Sequence, residues 1–122
     1  MSFSKIQSNA KINLALNITG KTSVLHKIET IVAFIYLHDD ILIKEIKSKK
    51  HNILFYGRFS KNIFNNNTVS KLLRILEKKK LLNNRKFLIK IKKRIPNQAG
   101  LGGGSMNAAS ILKYFIKKKI IR

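Results

Sequence analysis

Four glycines, Gly100 and Gly102 to Gly104, fall within five residues, between two stretches of different periodicity. Upstream, Phe87, Ile89 and Ile91 alternate with Lys86, Lys90 and Lys92, with Leu88 the exception. That is the period-two pattern of a strand with one buried face. Downstream, Ala108, Ile111, Leu112 and Phe115 recur at helical spacing. The chain must pass from strand to helix through the glycines, which adopt positive φ without steric cost and let another group approach the backbone closely. Successive N–H groups in such a turn can converge on one anion. The helix behind them adds its own unpaired N–H groups and the positive end of its dipole. A phosphate there is served by both. A flexible connector would show the same glycine content, so the turn alone assigns no function. Pro96 cannot donate to a ladder and marks the end of the strand. Ser105 is the expected N-cap of a helix running to about Lys119, with its hydroxyl in reach of a bound phosphate or Mg²⁺.

Several chemistries are excluded. No Gly-Lys-Ser/Thr closes the turn, so it is not a Walker A loop. No acid occurs after Glu77, so the carboxylate that a dinucleotide-binding fingerprint needs about 20 positions on is missing. There is no cysteine, hence no disulfide, thiolate metal site or thiol nucleophile. His26, His38 and His51 have no metal-ligand spacing and read as surface or core residues. The first residues lack the apolar region of a signal peptide, and the longest apolar run, 31–37, is too short for a membrane span. A cytoplasmic protein is expected. At 122 residues and 44% hydrophobic content, one domain with a real core is expected, with about two-thirds of the unfolded surface buried.

The balance of 26 Lys and Arg against 5 acids gives a net charge of +21. Such a charge suits an RNA- or DNA-binding module. The lysines, however, are spread over every segment instead of gathering on one stripe, as a compositional drift toward Ile, Lys and Asn would place them. Non-specific binding to polyanions at low salt is expected in either case.

Along the chain, a short polar lead precedes a strand over 11–19, where Ile12, Leu14, Leu16 and Ile18 alternate with Lys11, Asn13, Ala15 and Asn17. By pattern alone, Lys11 and Asn13 lie on a solvated sheet face. A buried strand follows over 28–37, rich in β-branched and aromatic residues. His38, Asp39 and Asp40 read as a turn before a strand over 41–47. Neighbouring carboxylates on a strand would face opposite ways, which argues against a catalytic pair. A short strand is expected over 53–56 and an Asn-rich loop over 65–67. From Thr68 a helix is signalled by Val69, Leu72, Leu73 and Leu76, with Asn67 or Thr68 as N-cap and Lys78, Lys79 and Lys80 at the negative dipole end.

The longer pattern containing Pro96, Gly100 to Ser105, Asn107, Ala108 and Ala109 resembles the nucleotide loop of the GHMP kinases. Within that family it is most similar to the branch acting on 4-diphosphocytidyl-methylerythritol in isoprenoid precursor synthesis (the methylerythritol phosphate pathway). The run from Ala10 to Leu14, His26, and Asn66 to Val69 carry the rest of the likeness. The resemblance implies an α+β fold shared with a ribosomal S5 domain, with a mixed or antiparallel sheet and helices on one face. It implies transfer of the γ-phosphate of ATP, with Mg²⁺, to an alcohol. Pro96, Asn97, Gln98, Ala99, Gly100, Leu101, Gly102, Gly103, Gly104, Ser105 and Met106 would hold ATP, Ser105 also touching the metal.

By the same resemblance Lys11 is the catalytic lysine, and Asn13 and His26 contact the cytidyl-diphosphate sugar-alcohol substrate. Residues 66–69 would lie on the adenine side of ATP, although an ordinary capped helix explains them equally well. The motif around His26 departs from the family pattern: Leu25 replaces a base-stacking tyrosine and Val24 a glycine. Loss of the stack would cost about 1–3 kcal/mol of binding. The family's catalytic aspartate, which follows the glycine loop, has no counterpart here. Residues 1–122 are thus expected to be an incomplete amino-terminal domain, inactive alone. A nucleic-acid-binding module on an S5-like fold and the remnant of a decayed gene remain the alternatives.

Overall fold

The structure, a computed structural model, describes residues 2–10, 37–61, 63, 67–95 and 103–121. The strands are β1 (Ser4–Asn9), β2 (His38–Ile46), β3 (Asn52–Tyr56) and β4 (Lys86–Lys92). The helices are α1 (Thr68–Lys78) and α2 (Gly103–Lys117). The strands form one mixed sheet in the order β1-β2-β4-β3, antiparallel except for the parallel pair β3 and β4. Parallel neighbours need a crossover, and α1 provides it.

The alternation in β4 sets the layer. Phe87, Ile89 and Ile91 face inward, opposite Glu45, Ile43 and Ile41 of β2; on the other side Ile53 and Phe55 of β3 stand beside Ile89 and Ile91. This face packs against Val69, Leu73 and Leu76 of α1 and Ile111 and Phe115 of α2 in one buried cluster. Both helices therefore lie on one face of the sheet. Phe87 and Phe115 form its aromatic centre, with ring centroids 4.9 Å apart.

Both helices stop in the same way. Lys80 N–H donates to Glu77 O at 2.9 Å and Leu81 N–H to Leu76 O at 3.0 Å; Lys119 N–H donates to Ile116 O at 3.0 Å and Ile120 N–H to Phe115 O at 2.9 Å. These are paired C-terminal caps, which place one residue in the left-handed region. Here that residue is lysine: Lys80 at φ 56° and Lys119 at φ 58°.

Three sequence expectations are corrected. The polar lead is β1, an edge strand in the described sheet. It was illegible because its inward positions are Ser4, Ile6 and Ser8, with one aliphatic residue among them. His38, Asp39 and Asp40 open β2 instead of forming a turn. Ser105 is not the N-cap, because α2 already begins at Gly103 and holds Ser105 in its first turn; it also ends at Lys117. Between the two capping candidates for α1, Asn67 is the residue used, its Oδ1 accepting from Ser70 N–H at 2.9 Å. The strand expected over 11–19 and, apart from Leu37, the one expected over 28–37 lie outside the described residues.

Candidate functional site

Three elements converge where the chain enters and leaves the glycine-rich segment. β4 ends at Lys92, and its continuation, Lys93, Arg94 and Ile95, leads directly to Pro96. On the other side of the segment, Gly103 and Gly104 start α2. A Cβ on Gly104 would lie 3.3 Å from Thr68 Oγ1, so the first turns of α1 and α2 sit against each other. The third element is the start of β2.

Asp39 explains why residues 93–95 are held there. Its side chain is fully buried, and so is nearly all of Lys93 (0% and 2% exposed). Lys93 Nζ donates to Asp39 Oδ2 at 2.6 Å. Asp39 Oδ1 accepts two successive backbone N–H groups, Arg94 at 2.7 Å and Ile95 at 2.9 Å. Asp40, on the opposite face of β2, reaches the same stretch from outside, with Oδ2 3.1 Å from Arg94 Nε and Oδ1 3.1 Å from His38 Nδ1. From the β3 side, Tyr56 O accepts from Lys93 N–H at 2.7 Å. Gly57, at φ 98°, lets the chain pass so close that a Cβ would stand 3.0 Å from Lys93 O. The adjacent aspartates are thus a structural clamp on the approach to Pro96. The sequence signalled their opposed directions but not their partners, which lie 54 to 56 positions away.

The exit of the segment is open and lacks acids. Gly104 and Ser105 are exposed, and the first turn of α2 carries no acidic residue. The first N–H groups of a helix have no partner within it, and the positive dipole end there favours an anion. Deeper in, Asn107 is buried, and both polar atoms of its side chain, like Ser8 Oγ, have no hydrogen-bond partner among the described residues. Met106 lines a cleft of about 570 Å³ between β1 and α2, with Asn9, Ser110, Lys113 and Tyr114. Tyr114 O–H donates to Ser4 Oγ at 3.1 Å, which fixes α2 along β1.

Of the residues that the resemblance assigns, Gly103, Gly104, Ser105 and Met106 are thus brought together at the start of α2. Lys11, Asn13, His26, Pro96, Asn97, Gln98, Ala99, Gly100, Leu101 and Gly102 lie outside the described residues. Ala10 is the last described residue before Lys11, and its N–H donates to Leu37 O at 2.9 Å beside the start of β2. The backbone therefore reaches Lys11 and Pro96 from the same end of the sheet.

At the opposite end of the sheet, His51 Nδ1 accepts from Phe87 N–H at 3.1 Å, which puts its proton on Nε2, 2.7 Å from Glu77 Oε1. Burial holds the His51 pKa below the ordinary value, against the opposing hydrogen bond to Glu77. Glu77 also accepts from Lys86 Nζ, and chiefly that contact lowers its pKa. This cluster, on the loop before β3, the last turns of α1 and the start of β4, is remote from residues 93–95. Among the described residues no group of three His, Asp or Glu side chains can hold a metal, and no helix is long and apolar enough to cross a membrane.

A mixed sheet with both helices on one face, and a glycine-rich sequence between a clamped strand end and the start of a helix, define an α+β domain. Residues 67–118 match the family described as GHMP kinases N terminal domain. The chain is 64% identical over 118 residues to the 4-diphosphocytidyl-2-C-methyl-D-erythritol kinase of Pelagibacter ubique (strain HTCC1062), covering 97% of this chain and 42% of that protein. It is 40% identical over 115 residues to the kinase of the same name from Anaplasma marginale (strain Florida), covering 93% and 39%. A crystal structure of 4-(cytidine 5'-diphospho)-2C-methyl-D-erythritol kinase shares the fold, with a TM-score of 0.60 over 94% of this chain and 40% of that one, at 21% identity. The chain belongs to the GHMP kinases. It spans about two-fifths of the length of these curated relatives.

Proposed function

We propose that this domain is the ATP-binding part of a kinase that phosphorylates the 2-hydroxyl of 4-diphosphocytidyl-2-C-methyl-D-erythritol. The observation that carries the reading is the 64% identity over 97% of the chain to a kinase of that name. The start of α2 supports it: an exposed Gly104 and Ser105 and no acid in the first turn suit a polyphosphate. Backbone N–H groups at Gly103, Gly104 and Ser105 would bind phosphate oxygens, together with the segment from Pro96 to Gly102. The Ser105 hydroxyl would be one Mg²⁺ ligand, with phosphate oxygens and water completing the shell. ATP supplies the transferable γ-phosphoryl group. Lys11 would orient the acceptor oxygen or offset charge on that group. Asn13 and His26 would contact the cytidyl substrate, weakened by Leu25 at the stacking position. Because the chain spans about two-fifths of its relatives' length, we take turnover to need residues outside it, and its setting to be the cytoplasm.

The test is binding of Mg·ATP to the 122-residue chain at about 0.3 M salt, where the Debye length is near 6 Å and surface attraction is screened. Saturable binding displaced by ATP but not by inorganic tripolyphosphate is expected. Gly103→Val should abolish it while leaving adsorption to a polyanion at low salt unchanged. Displacement by both anions alike would reduce the binding to charge.

A further inference from the structure

We propose that Asp39 is a positioning residue for the nucleotide segment, fixing where and in which direction the chain enters it at Pro96. The inference rests on the ATP-binding reading above. Neutralising the buried Lys93 ammonium requires one carboxylate oxygen, and Oδ2 does this at 2.6 Å. The other oxygen is committed to the backbone, accepting from Arg94 and Ile95 N–H, the last two residues before the motif. Two adjacent amides converging on one atom fix the path of the main chain as a side-chain ion pair does not.

The surrounding contacts act on the same stretch. Tyr56 O holds Lys93 N–H, Asp40 holds the Arg94 guanidinium, and Gly57 allows the close approach of the backbone. At the far end, Gly104 stands against Thr68 at the start of α1. Where the chain on either side is already held, that part of the ordering cost does not fall on binding, and the saving appears as affinity. Asp39 touches neither nucleotide nor substrate in this account; it acts through residues 94 and 95.

The decisive comparison keeps the core uncharged while changing the backbone acceptor. Lys93→Met combined with Asp39→Asn retains an oxygen that can accept from Arg94 and Ile95; Lys93→Met combined with Asp39→Ala does not. With Mg·ATP titrated at about 0.3 M salt, the first double variant should bind within about threefold of Lys93→Met alone. The second should bind at least about tenfold more weakly, with faster hydrogen exchange at the Arg94 and Ile95 amides. Leu82→Ala, a destabilised control far from this end, should leave affinity unchanged. Equal affinity in the two double variants overturns the proposal, because Asp39 then only neutralises Lys93. Where the alanine variant does not fold, Asp39→Glu decides. It keeps the charge but moves the oxygens by one methylene, so affinity should fall, and unchanged affinity overturns the proposal. Absence of saturable binding in the unmodified chain would instead remove the ATP-binding reading, and this inference with it, before any variant is compared.

Discussion

Replacing Asp39 by alanine should cost far more stability than replacing its partner Lys93 by methionine. Asp39→Ala leaves the ammonium of Lys93, 2% exposed, without its carboxylate. Removing one partner of a buried ion pair costs about 3–5 kcal/mol. The buried N–H of Ile95 loses its acceptor as well, at about 1–3 kcal/mol, while Arg94 is exposed enough to turn to water. Together these come to about 4–8 kcal/mol, a large part of the 5–15 kcal/mol typical of a domain.

Lys93→Met differs, because the carboxylate keeps two backbone donors at 2.7 and 2.9 Å and methionine refills the volume. Its cost should be about 1–2 kcal/mol. Urea unfolding followed by circular dichroism, with an unchanged m-value, measures both. A cost below about 1.5 kcal/mol for Asp39→Ala, or a larger cost for Lys93→Met, would refute the reasoning.

Four other outcomes are expected. The lowered pKa of His51 means that its folded form prefers to be neutral, so its stabilisation is present above the unfolded value of 6.5 and is lost as pH falls through the lower folded value. Glu77 acts in the same direction below 4.5, and thermal melts at successive pH values should show His51→Gln flattening the upper part of the decline. Lys80→Gly and Lys119→Gly should each raise stability by about 0.5–1 kcal/mol, because φ near 56–58° is strained for lysine and free for glycine; a loss in either would contradict the cap assignment. Gly57→Ala should destabilise by more than 1 kcal/mol, since its φ of 98° and the 3.0 Å approach to Lys93 O leave no room for a methyl group; chemical unfolding measures it. Intact-mass analysis of the native protein should give a species well above 14.0 kDa, the larger protein that turnover is proposed to need; 14.0 kDa would favour a remnant.

Much of the architecture was legible because local signals agreed. Val69, Leu73 and Leu76 repeat at helical spacing and are the buried face of α1. The alternation of Phe87, Ile89 and Ile91 predicted the inward face of β4. β1 escaped because an edge strand in the described sheet buries half of one face, so Ser4 and Ser8 can stand where aliphatic residues would have announced it. The start of α2 shifted because Gly103 and Gly104 give no capping signal, and Ser105 offered a misleading one. The pattern from Pro96 to Ala109 and its likeness to a kinase family were on the chain from the beginning, since a glycine-rich motif is written in consecutive residues. What Asp39 does was not. Two adjacent acids before a strand look like a turn, and only folding places them beside Lys93, Arg94 and Ile95. Local periodicity writes which elements form; a buried charge finds its partner across the sheet, where sequence spacing carries no trace of the contact.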